Sequence, residues 1–427
     1  TTLFRSACIK GLQYILAFVT FPYLTRVLQV ENFGAVVFAQ GIIQYFVLLT
    51  DYGFNLIAPR DIAMQDDMEE RGKVFASIFF SKVVLLAFSS VFFGISLLVL
   101  NMFYGIDIIL YLLTFTLVIG YVLYPIWFFQ GIQQMKYITF VDVLAKIISL
   151  CGIFYFVNSA EDYLIAAFFQ AINPLIAAVA SWCILYKNYP EVFCLTDIKS
   201  IKAELLKGWS VFISSIAINL YTASNLVFLG MLTNNTVVGY FSGAKKIIDN
   251  ITALFSPITQ AVYPHISKLA AESKLKALEF IKKVFLLLGV GNFLLSLFIC
   301  IFADWIIKTL LGVGYEQSVM LLRIMAFLPF IIALSNVFGV QTMLPFGMQS
   351  TFSKILMGAA GLNTVIVVPA IYFLESVGVS ISIMVTECVV TGMMFFALNK
   401  HGLKIWGRSE EHTSELQSHH DLVCRLL

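Results

Sequence analysis

Long apolar runs dominate the chain from Tyr14 to Leu398, and short polar segments separate them. A helix needs about 20 apolar residues to cross the hydrocarbon core of a bilayer, and it satisfies its backbone hydrogen bonds within one segment. We therefore expect an all-α integral membrane protein. The pattern predicts twelve transmembrane helices, at residues 10–28, 35–58, 75–100, 108–130, 139–158, 163–186, 210–233, 238–262, 284–303, 318–340, 352–373 and 377–398.

Basic residues fall on alternate sides of these predicted spans. With the N-terminus in the cytoplasm, the cytoplasmic segments hold seventeen Lys and Arg residues, whereas the opposite side holds only Arg26 and Lys308. Cytoplasmic loops of membrane proteins carry such an excess. The bias predicts an even number of spans with both termini cytoplasmic, and places the lysine-bearing segments 187–208 and 263–283 in the cytoplasm.

A weak internal repeat relates the two halves of the chain. The segment 34–39 aligns with 239–244 at an offset of 205 residues, and Pro125 aligns with Pro329 at an offset of 204. Each proline is followed within ten residues by Gly-x-Gln-x-Met. A parallel repeat is a transporter architecture, although coincidence among common membrane residues is the alternative interpretation. The predicted domains are a six-helix bundle at 8–186, a cytoplasmic linker at 187–209 and a second six-helix bundle at 210–400.

The two ends of the sequence are a separate matter. Residues 1–6 and 408–427 resemble translated sequencing-adapter DNA, so we exclude both from functional interpretation.

Composition removes several classes of function. The chain is 60% hydrophobic and 12% charged, unlike a soluble domain. Its net charge of +2 gives no reason to expect a nucleic-acid partner. The seven cysteines form no CxxC pair, and no P-loop, nucleophile-elbow or zinc-protease motif occurs. We expect no cofactor, no metal and no enzymatic activity.

Charged residues inside the predicted spans are the strongest functional signal, because each costs roughly 2.5–3.5 kcal/mol at mid-bilayer. Two pairs, Asp142 with Lys146 and Lys245 with Asp249, have the i,i+4 spacing that places both side chains on one helix face. Such pairs can serve ion coupling, or they can simply neutralise themselves. The charged residues inside predicted spans that have no partner at this spacing are Lys82, Lys246, Arg323 and Glu387.

Five cations and three anions therefore lie within the predicted spans. This excess favours an anionic or phosphate-bearing substrate. Arg323 can bind such a group through two parallel hydrogen bonds, and the lysines can bind it as point charges. Lys82 and Lys246 have an alternative role, in which each lies near a helix end and reaches to the interface. At the rims, Arg26 is a candidate for attracting a head group or for anchoring the interface, and Asp51 precedes Arg60 and Asp61.

Several short motifs resemble those of the O-antigen and polysaccharide flippases (Wzx type), which belong to the multidrug/oligosaccharidyl-lipid/polysaccharide exporter superfamily. The resemblance covers about residues 8 to 400 and rests on Phe21-Pro-Tyr-Leu-Thr-Arg-Val-Leu28, Glu31-Asn-Phe-Gly34, Asp51-Tyr-Gly-Phe54, Pro125-Ile-Trp-Phe-Phe-Gln-Gly131 and Gly239-Tyr-Phe-Ser-Gly-Ala-Lys-Lys246. It implies two six-helix bundles arranged as a V, a cationic cavity and alternating access. The implied cargo is undecaprenyl-diphosphate-linked oligosaccharide, moved from the cytoplasmic to the periplasmic leaflet of the bacterial inner membrane.

The resemblance also implies roles for individual residues and partners. The cavity cations would be Arg26, Lys82, Lys245, Lys246 and Arg323, and the coupling or structural ion pairs would involve Asp51, Asp142, Lys146, Asp249 and Glu387. Implied partners besides the lipid bilayer are a polysaccharide polymerase and a chain-length regulator. Asn225 stands where many relatives carry an acid, which leaves the coupling route open.

Two other classes of function stay open at this point. A cation-coupled multidrug exporter of the same superfamily would depend on buried acids, and the excess of buried cations argues against it. A membrane glycosyltransferase or polymerase would need a large extramembrane loop with catalytic acids, whereas the longest loops are lysine-rich.

Overall fold

The computed structural model describes residues 2–194, 196–222 and 224–403, and within these ranges the chain is almost wholly helical and contains no strand. The adapter-like tail at 408–427 lies outside the described residues. The helices are α1 (Thr2–Asp51), α2 (Phe54–Ala63), α3 (Met68–Tyr104), α4 (Ile108–Leu123), α5 (Ile126–Gly131), α6 (Met135–Phe156), α7 (Tyr163–Ala171), α8 (Asn173–Asn188), α9 (Ile198–Thr222), α10 (Ser224–Leu232), α11 (Asn235–Ala253), α12 (Ser256–Glu272), α13 (Lys274–Ile301), α14 (Ala303–Leu310), α15 (Glu316–Met325), α16 (Leu328–Phe338) and α17 (Gln349–Lys400). Short 3₁₀ turns at Ala160–Asp162 and Pro190–Val192 and a π-helical turn at Gly339–Met343 connect some of them.

Eight helical stretches within the described residues are long and apolar enough to cross a membrane. They are Val19–Ala63, Met68–Tyr104, Ile108–Gly131, Met135–Phe156, Ala160–Asn188, Lys274–Ile301, Glu316–Met343 and Gln349–Lys400. The predicted spans 210–233 and 238–262 fall on α9 to α12, outside these eight stretches, and α11 carries three charged residues that lower its hydropathy. The count of twelve spans stays a prediction.

Two of these helices are interrupted by a single residue with positive φ. Gln29 has φ 60° in the 50-residue α1, and Glu375 has φ 46° in the 52-residue α17. A non-glycine residue rarely adopts positive φ, because its Cβ crowds the backbone. Both residues fall in gaps between predicted spans, so each long helix is divided where the hydropathy pattern ends one span and begins the next.

Several predicted spans are broken where the sequence pattern expected continuous helix, among them the second, the fourth and the sixth. The second ends at Asp51, because Tyr52 and Gly53 both have positive φ. The fourth breaks before Pro125 and the sixth at Ile172, just before Pro174. Proline has no backbone N–H and cannot continue an α-helix through its own position without losing a hydrogen bond.

The chain forms two compact units. The first unit comprises the chain up to Ala244 with Asp304–Ser318 and Val368–Val379; the second comprises Lys245–Ala303, Val319–Val367 and the chain from Ser380 onward.

An aromatic cluster forms one core of the first unit. Trp127, Phe128 and Phe129 of α5 are fully buried, and Phe75 of α3 packs edge-on against Phe128 with ring centroids 5.3 Å apart. Large aromatic side chains remove much apolar area from solvent. The motif Pro125-Ile-Trp-Phe-Phe-Gln-Gly131 thus packs the interior of this unit.

A second, aliphatic core lies in the other unit. Ile281, Val284 and Leu288 on one face of α13 pack with residues of α16, the π-helical turn and α17, among them Val337 and Met394. The opposite face of α13 carries exposed apolar residues. A helix that is buried on one face and apolar on the other is suited to contact lipid.

Candidate functional site

Lys82 lies in the interior of the first unit, beside the carboxylate of Asp51. The Lys82 Nζ is 3.7 Å from Asp51 Oδ1, and 2% of the lysine side chain is exposed against 25% of the aspartate side chain. Asp51 is the last residue of α1, and Lys82 lies on the buried face of α3. Since a charge removed from water must be paired, the two groups compensate each other.

The end of α4 provides a second partner for Lys82. Its Nζ donates to the carbonyl oxygen of Tyr121 at 3.3 Å. Tyr121 is in the last turn of α4, where carbonyls lack intrahelical partners because Pro125 follows and the helix cannot continue. A cation is also favoured there by the helix dipole. The break at Pro125 therefore helps to create the polar environment that holds Lys82.

Helical spacing left Lys82 without a partner, whereas the structure pairs it with Asp51. Spacing along one helix finds only pairs three or four residues apart, whereas Asp51 reaches Lys82 from another helix, 31 residues earlier in the sequence. The positive charge at this point of the first unit is therefore smaller than the count of cations suggests.

Asp142 and Lys146 lie one turn apart on α6, and both are half-buried. Asp142 Oδ1 accepts a hydrogen bond from Tyr124 Oη at 2.9 Å. Sequence reasoning missed Tyr124 as a partner of this carboxylate. The signal available was its position directly before Pro125, where a helix end can present a side chain to a neighbouring helix.

Lys245 and Asp249 form the ion pair that their spacing predicts, on α11 in the second unit. The lysine side chain is 27% exposed and the aspartate side chain 55% exposed. Lys246 follows directly on the same helix and is half-buried. This part of α11 thus carries two cations and one anion.

Arg323 and Glu387 are the remaining charged residues predicted within spans, and both belong to the second unit. Arg323 is exposed near the end of α15, and Glu387 is half-buried in α17. Among the residues that the structure describes, no carboxylate lies within ion-pair distance of Arg323. Its guanidinium is therefore available to an anion from outside the chain.

Arg26 has a structural contact in the first unit. Its guanidinium donates to the carbonyl oxygen of Thr309, near the C-terminal end of α14, and its side chain packs against Gly312, which has φ 91°. A cation at this position satisfies an orphan carbonyl and complements the helix dipole. Lys308, one residue away, pairs with Asp304 at 2.9 Å.

The structure does not bring Arg26 and Lys82 of the first unit together. Asp51, the neighbour of Lys82, ends the helical segment 30–51, which begins just after Arg26 and the break at Gln29. At 1.5 Å per residue a segment of this length spans about 33 Å. The two cations therefore cannot hold the same phosphate.

The two glycines related by the repeat are in direct contact in the first unit. A Cβ on Gly34 would lie 1.9 Å from the carbonyl oxygen of Asn235 and 2.7 Å from the amide nitrogen of Gly239. A Cβ on Gly239 would lie 2.2 Å from the carbonyl oxygen of Val30. Only glycine permits such close backbone approach. The repeat alignment singled out both residues but did not reveal that they touch.

An ionic cluster joins α2 to α9 in the predicted cytoplasmic segment. Lys207 forms an ion pair with Asp61, whose side chain is 13% exposed. Glu204, one turn before Lys207, has a buried carboxyl oxygen without a hydrogen-bond partner. Burial raises the pKa of Glu204 above its ordinary value, against a smaller opposing effect from Lys207. This cluster fastens α9 to the first unit.

Comparison with known proteins identifies the family. The family model described as polysaccharide biosynthesis protein matches residues 3–270. A protein of Escherichia coli (strain K12) named putative O-antigen transporter is 34% identical over 93% of this chain and 96% of its own length. This chain belongs to the polysaccharide biosynthesis protein family. A protein of Shigella dysenteriae with the same name is 28% identical over 91% of this chain and 97% of its own length. The resemblance drawn from the motifs is confirmed, and neither relative is named as an enzyme.

Solved structures show the same fold at low sequence identity. The lipid II flippase MurJ, in an inward closed conformation, matches with a TM-score of 0.71 at 12% identity, over 92% of this chain and 87% of that chain. An inward-facing multidrug transporter of the MATE family in the MOP superfamily matches with a TM-score of 0.66 at 13% identity, over 92% of this chain and 100% of that chain. The predicted fold class, an all-α membrane protein of transporter type, is confirmed.

Proposed function

We propose that this chain is a flippase for undecaprenyl-diphosphate-linked oligosaccharide, an O-antigen or capsule repeat unit. It moves this cargo from the cytoplasmic to the periplasmic leaflet of the bacterial inner membrane by alternating access through a cationic cavity. The single observation that carries the proposal is the 34% identity to a protein named putative O-antigen transporter over 96% of that protein's length.

The charges of the second unit support an anionic cargo. Arg323 is exposed without a carboxylate partner among the described residues, and Lys246 adjoins the compensated pair Lys245–Asp249. A guanidinium can bind two phosphate oxygens in one plane, and an ammonium adds a point charge. In the proposed mechanism, Arg323 and Lys246 bind the diphosphate while the polyprenyl chain stays in the lipid.

The other proposed cavity cations are Arg26, Lys82 and Lys245, each of which, like Lys246, has an interaction within the chain. For Arg26, Lys82 and Lys245, cargo binding requires an exchange of partners, in which a phosphate oxygen replaces a carbonyl or carboxylate oxygen. Asp51, Asp142, Asp249 and Glu387 are the acids available for ion coupling in this proposal, and Lys146 adjoins Asp142.

The arrangement in the membrane is part of the same proposal. Both termini lie in the cytoplasm, twelve spans form two six-helix bundles at 8–186 and 210–400, and residues 187–209 connect them. A polysaccharide polymerase and a chain-length regulator are the proposed protein partners, because they would receive the translocated repeat unit.

Complementation tests the proposal directly. In a host that lacks its O-antigen flippase, the chain should restore surface polymer, and the double variant Arg323→Ala, Lys246→Ala should not, at equal protein levels in the membrane. Arg323→Lys alone should retain part of the activity, because it keeps the positive charge and loses the paired hydrogen bonds that a guanidinium makes to phosphate. Normal polymer from the double alanine variant would contradict the proposal.

A cation-coupled multidrug exporter is the second candidate, and the fold likeness to a MATE-family transporter is the observation that favours it. A drug-sensitive host expressing the chain distinguishes the two. Increased resistance to cationic drugs without restoration of surface polymer would establish the exporter and reject the flippase.

A further inference from the structure

We propose that Lys276, Lys282 and Lys283, at the predicted cytoplasmic end of α13, form a binding surface for the head groups of anionic phospholipids. This surface is called the α13 lysine patch below. It is separate from the cargo-binding residues proposed above, and its test does not depend on the nature of the cargo.

The first observation is the position of the lysines relative to the exposed apolar face of α13. Counting from Lys283, exposed apolar residues follow at the spacings of three, four and seven that mark one face of a helix. The residues of this stripe are Leu286, Leu287, Val290, Leu294, Leu297 and Ile301, each at least 40% exposed. Lys276 precedes Lys283 by seven residues and shares this face.

The second observation is the length of that stripe. From Lys283 to Ile301 are eighteen residues, or about 27 Å at 1.5 Å per residue. The hydrocarbon core of a bilayer is about 30 Å thick, with the head groups directly outside it. When the stripe contacts acyl chains, Lys282 and Lys283 therefore lie at head-group depth. Lys276 lies about two turns nearer the predicted cytoplasmic side, and its long side chain reaches back to the same layer.

The third observation is the net charge at this depth. All three lysines are exposed, and Glu279 is the acid on the same face, so the patch carries a net charge of +2. The nearby Lys268 pairs with Glu272 at 4.0 Å and adds no net charge. Clusters of basic residues directly cytoplasmic of a membrane helix attract anionic lipids.

The corresponding helix of the first half lacks this patch. At the repeat offset of 205 residues, the start of α13 corresponds to the start of α3, where Glu69 and Glu70 balance Arg71 and Lys73. Lys73 is moreover paired with Glu69 at 3.1 Å. The positions matching Lys282 and Lys283 are Ser77 and Ile78, both buried. The charge is therefore a property of α13 rather than of every span at this depth.

Native mass spectrometry of the purified chain in neutral detergent tests the proposal. Phosphatidylglycerol and phosphatidylcholine are titrated separately, because both carry a phosphate but only the first has a net negative charge. The wild-type chain should bind phosphatidylglycerol more tightly. The triple variant Lys276→Gln, Lys282→Gln, Lys283→Gln should lose roughly tenfold or more in that affinity, with phosphatidylcholine binding unchanged.

Two controls decide between this surface and a general effect of positive charge. A matched triple variant Lys187→Gln, Lys199→Gln, Lys202→Gln removes three exposed lysines of the predicted cytoplasmic linker and should leave phosphatidylglycerol binding unchanged. The corresponding arginine triple at the α13 lysine patch should keep it, which also shows that the altered helix folds. Equal losses in both glutamine triples, or no lipid preference in the wild type, would overturn the proposal. Displacement of phosphatidylglycerol by millimolar inorganic phosphate would also overturn it, since the surface would then bind free phosphate.

Discussion

The ion pair between Lys82 and Asp51 predicts an unequal response to removal of its two members. Asp51→Asn leaves the ammonium of Lys82 in the interior of the first unit, where 2% of the side chain is exposed. Lys82→Met removes that charge at similar volume and leaves a carboxylate that is 25% exposed. Because water can solvate Asp51 but hardly Lys82, the aspartate substitution should be the more damaging.

The magnitude follows from the geometry. At 3.7 Å the Coulomb attraction is about 4.5 kcal/mol at an effective dielectric constant of 20. Breaking a buried pair by removing one partner typically costs about 3–5 kcal/mol. Because Asp51 is partly exposed, we expect Asp51→Asn to lower the free energy of unfolding by about 3 kcal/mol. The hydrogen bond from Lys82 to the Tyr121 carbonyl reduces this cost further. We expect Lys82→Met to cost about half as much, since solvent screens the remaining carboxylate.

A double-mutant cycle on the purified chain provides the measurement. The free energy of unfolding, from a denaturing-detergent titration, is compared for the wild type, the two single variants and Asp51→Asn, Lys82→Met. The double variant should be more stable than Asp51→Asn alone, with a coupling energy of about 2 kcal/mol. Additive effects, or an Asp51→Asn variant as stable as the wild type, would refute the pairing.

The same variants separate a structural from a transport role of Lys82. If the double variant recovers stability and also restores surface polymer in the flippase-deficient host, the pair is structural. Recovered stability without polymer would assign a transport role to the pair, because the fold would then be intact while the cation and the acid are both missing.

Three further predictions concern other contacts. Gly239→Val should lower the free energy of unfolding by about 1–3 kcal/mol through overpacking against the Val30 carbonyl, whereas Gly291→Val, where no atom lies within 4 Å, should not; equal effects would contradict the close contact. Arg26→Gln should speed amide hydrogen exchange around Gly312, corresponding to loss of about 1 kcal/mol of helix capping, and Arg26→Lys should restore protection. Glu204→Gln should raise the melting temperature at pH 7, and the gain should vanish below the ordinary pKa of about 4.5, because a carboxyl with a raised folded-state pKa stabilises the fold only when protonated.

The sequence predicted those features that depend on one helix at a time. Hydropathy located the helices, and the breaks at Gln29 and Glu375 fall in gaps between predicted spans. The i,i+4 rule found Lys245 with Asp249. Contacts between helices were missed, because no spacing rule relates residues on different elements. Asp51 with Lys82 is such a contact, and so is Gly34 with Gly239.

Breaks inside spans were missed for a different reason. Hydropathy averages over many residues, so the predicted span 108–130 continued through Pro125 although the helix ends at Leu123. The proline itself was the available signal. Its consequence, a helix end that holds Lys82, depends on α3 lying beside α4 and could not be derived from composition.

The buried aromatic residues of α5 bear on how transporters of this kind could be re-engineered. Part of the motif that resembles the family consists of Trp127, Phe128 and Phe129. None of the three has exposed surface that a sugar could contact. We therefore expect these three residues to serve the scaffold and the cargo preference to be set elsewhere in the chain. A laboratory change of cargo can therefore leave α5 untouched and concentrate substitutions on exposed polar positions such as Arg323.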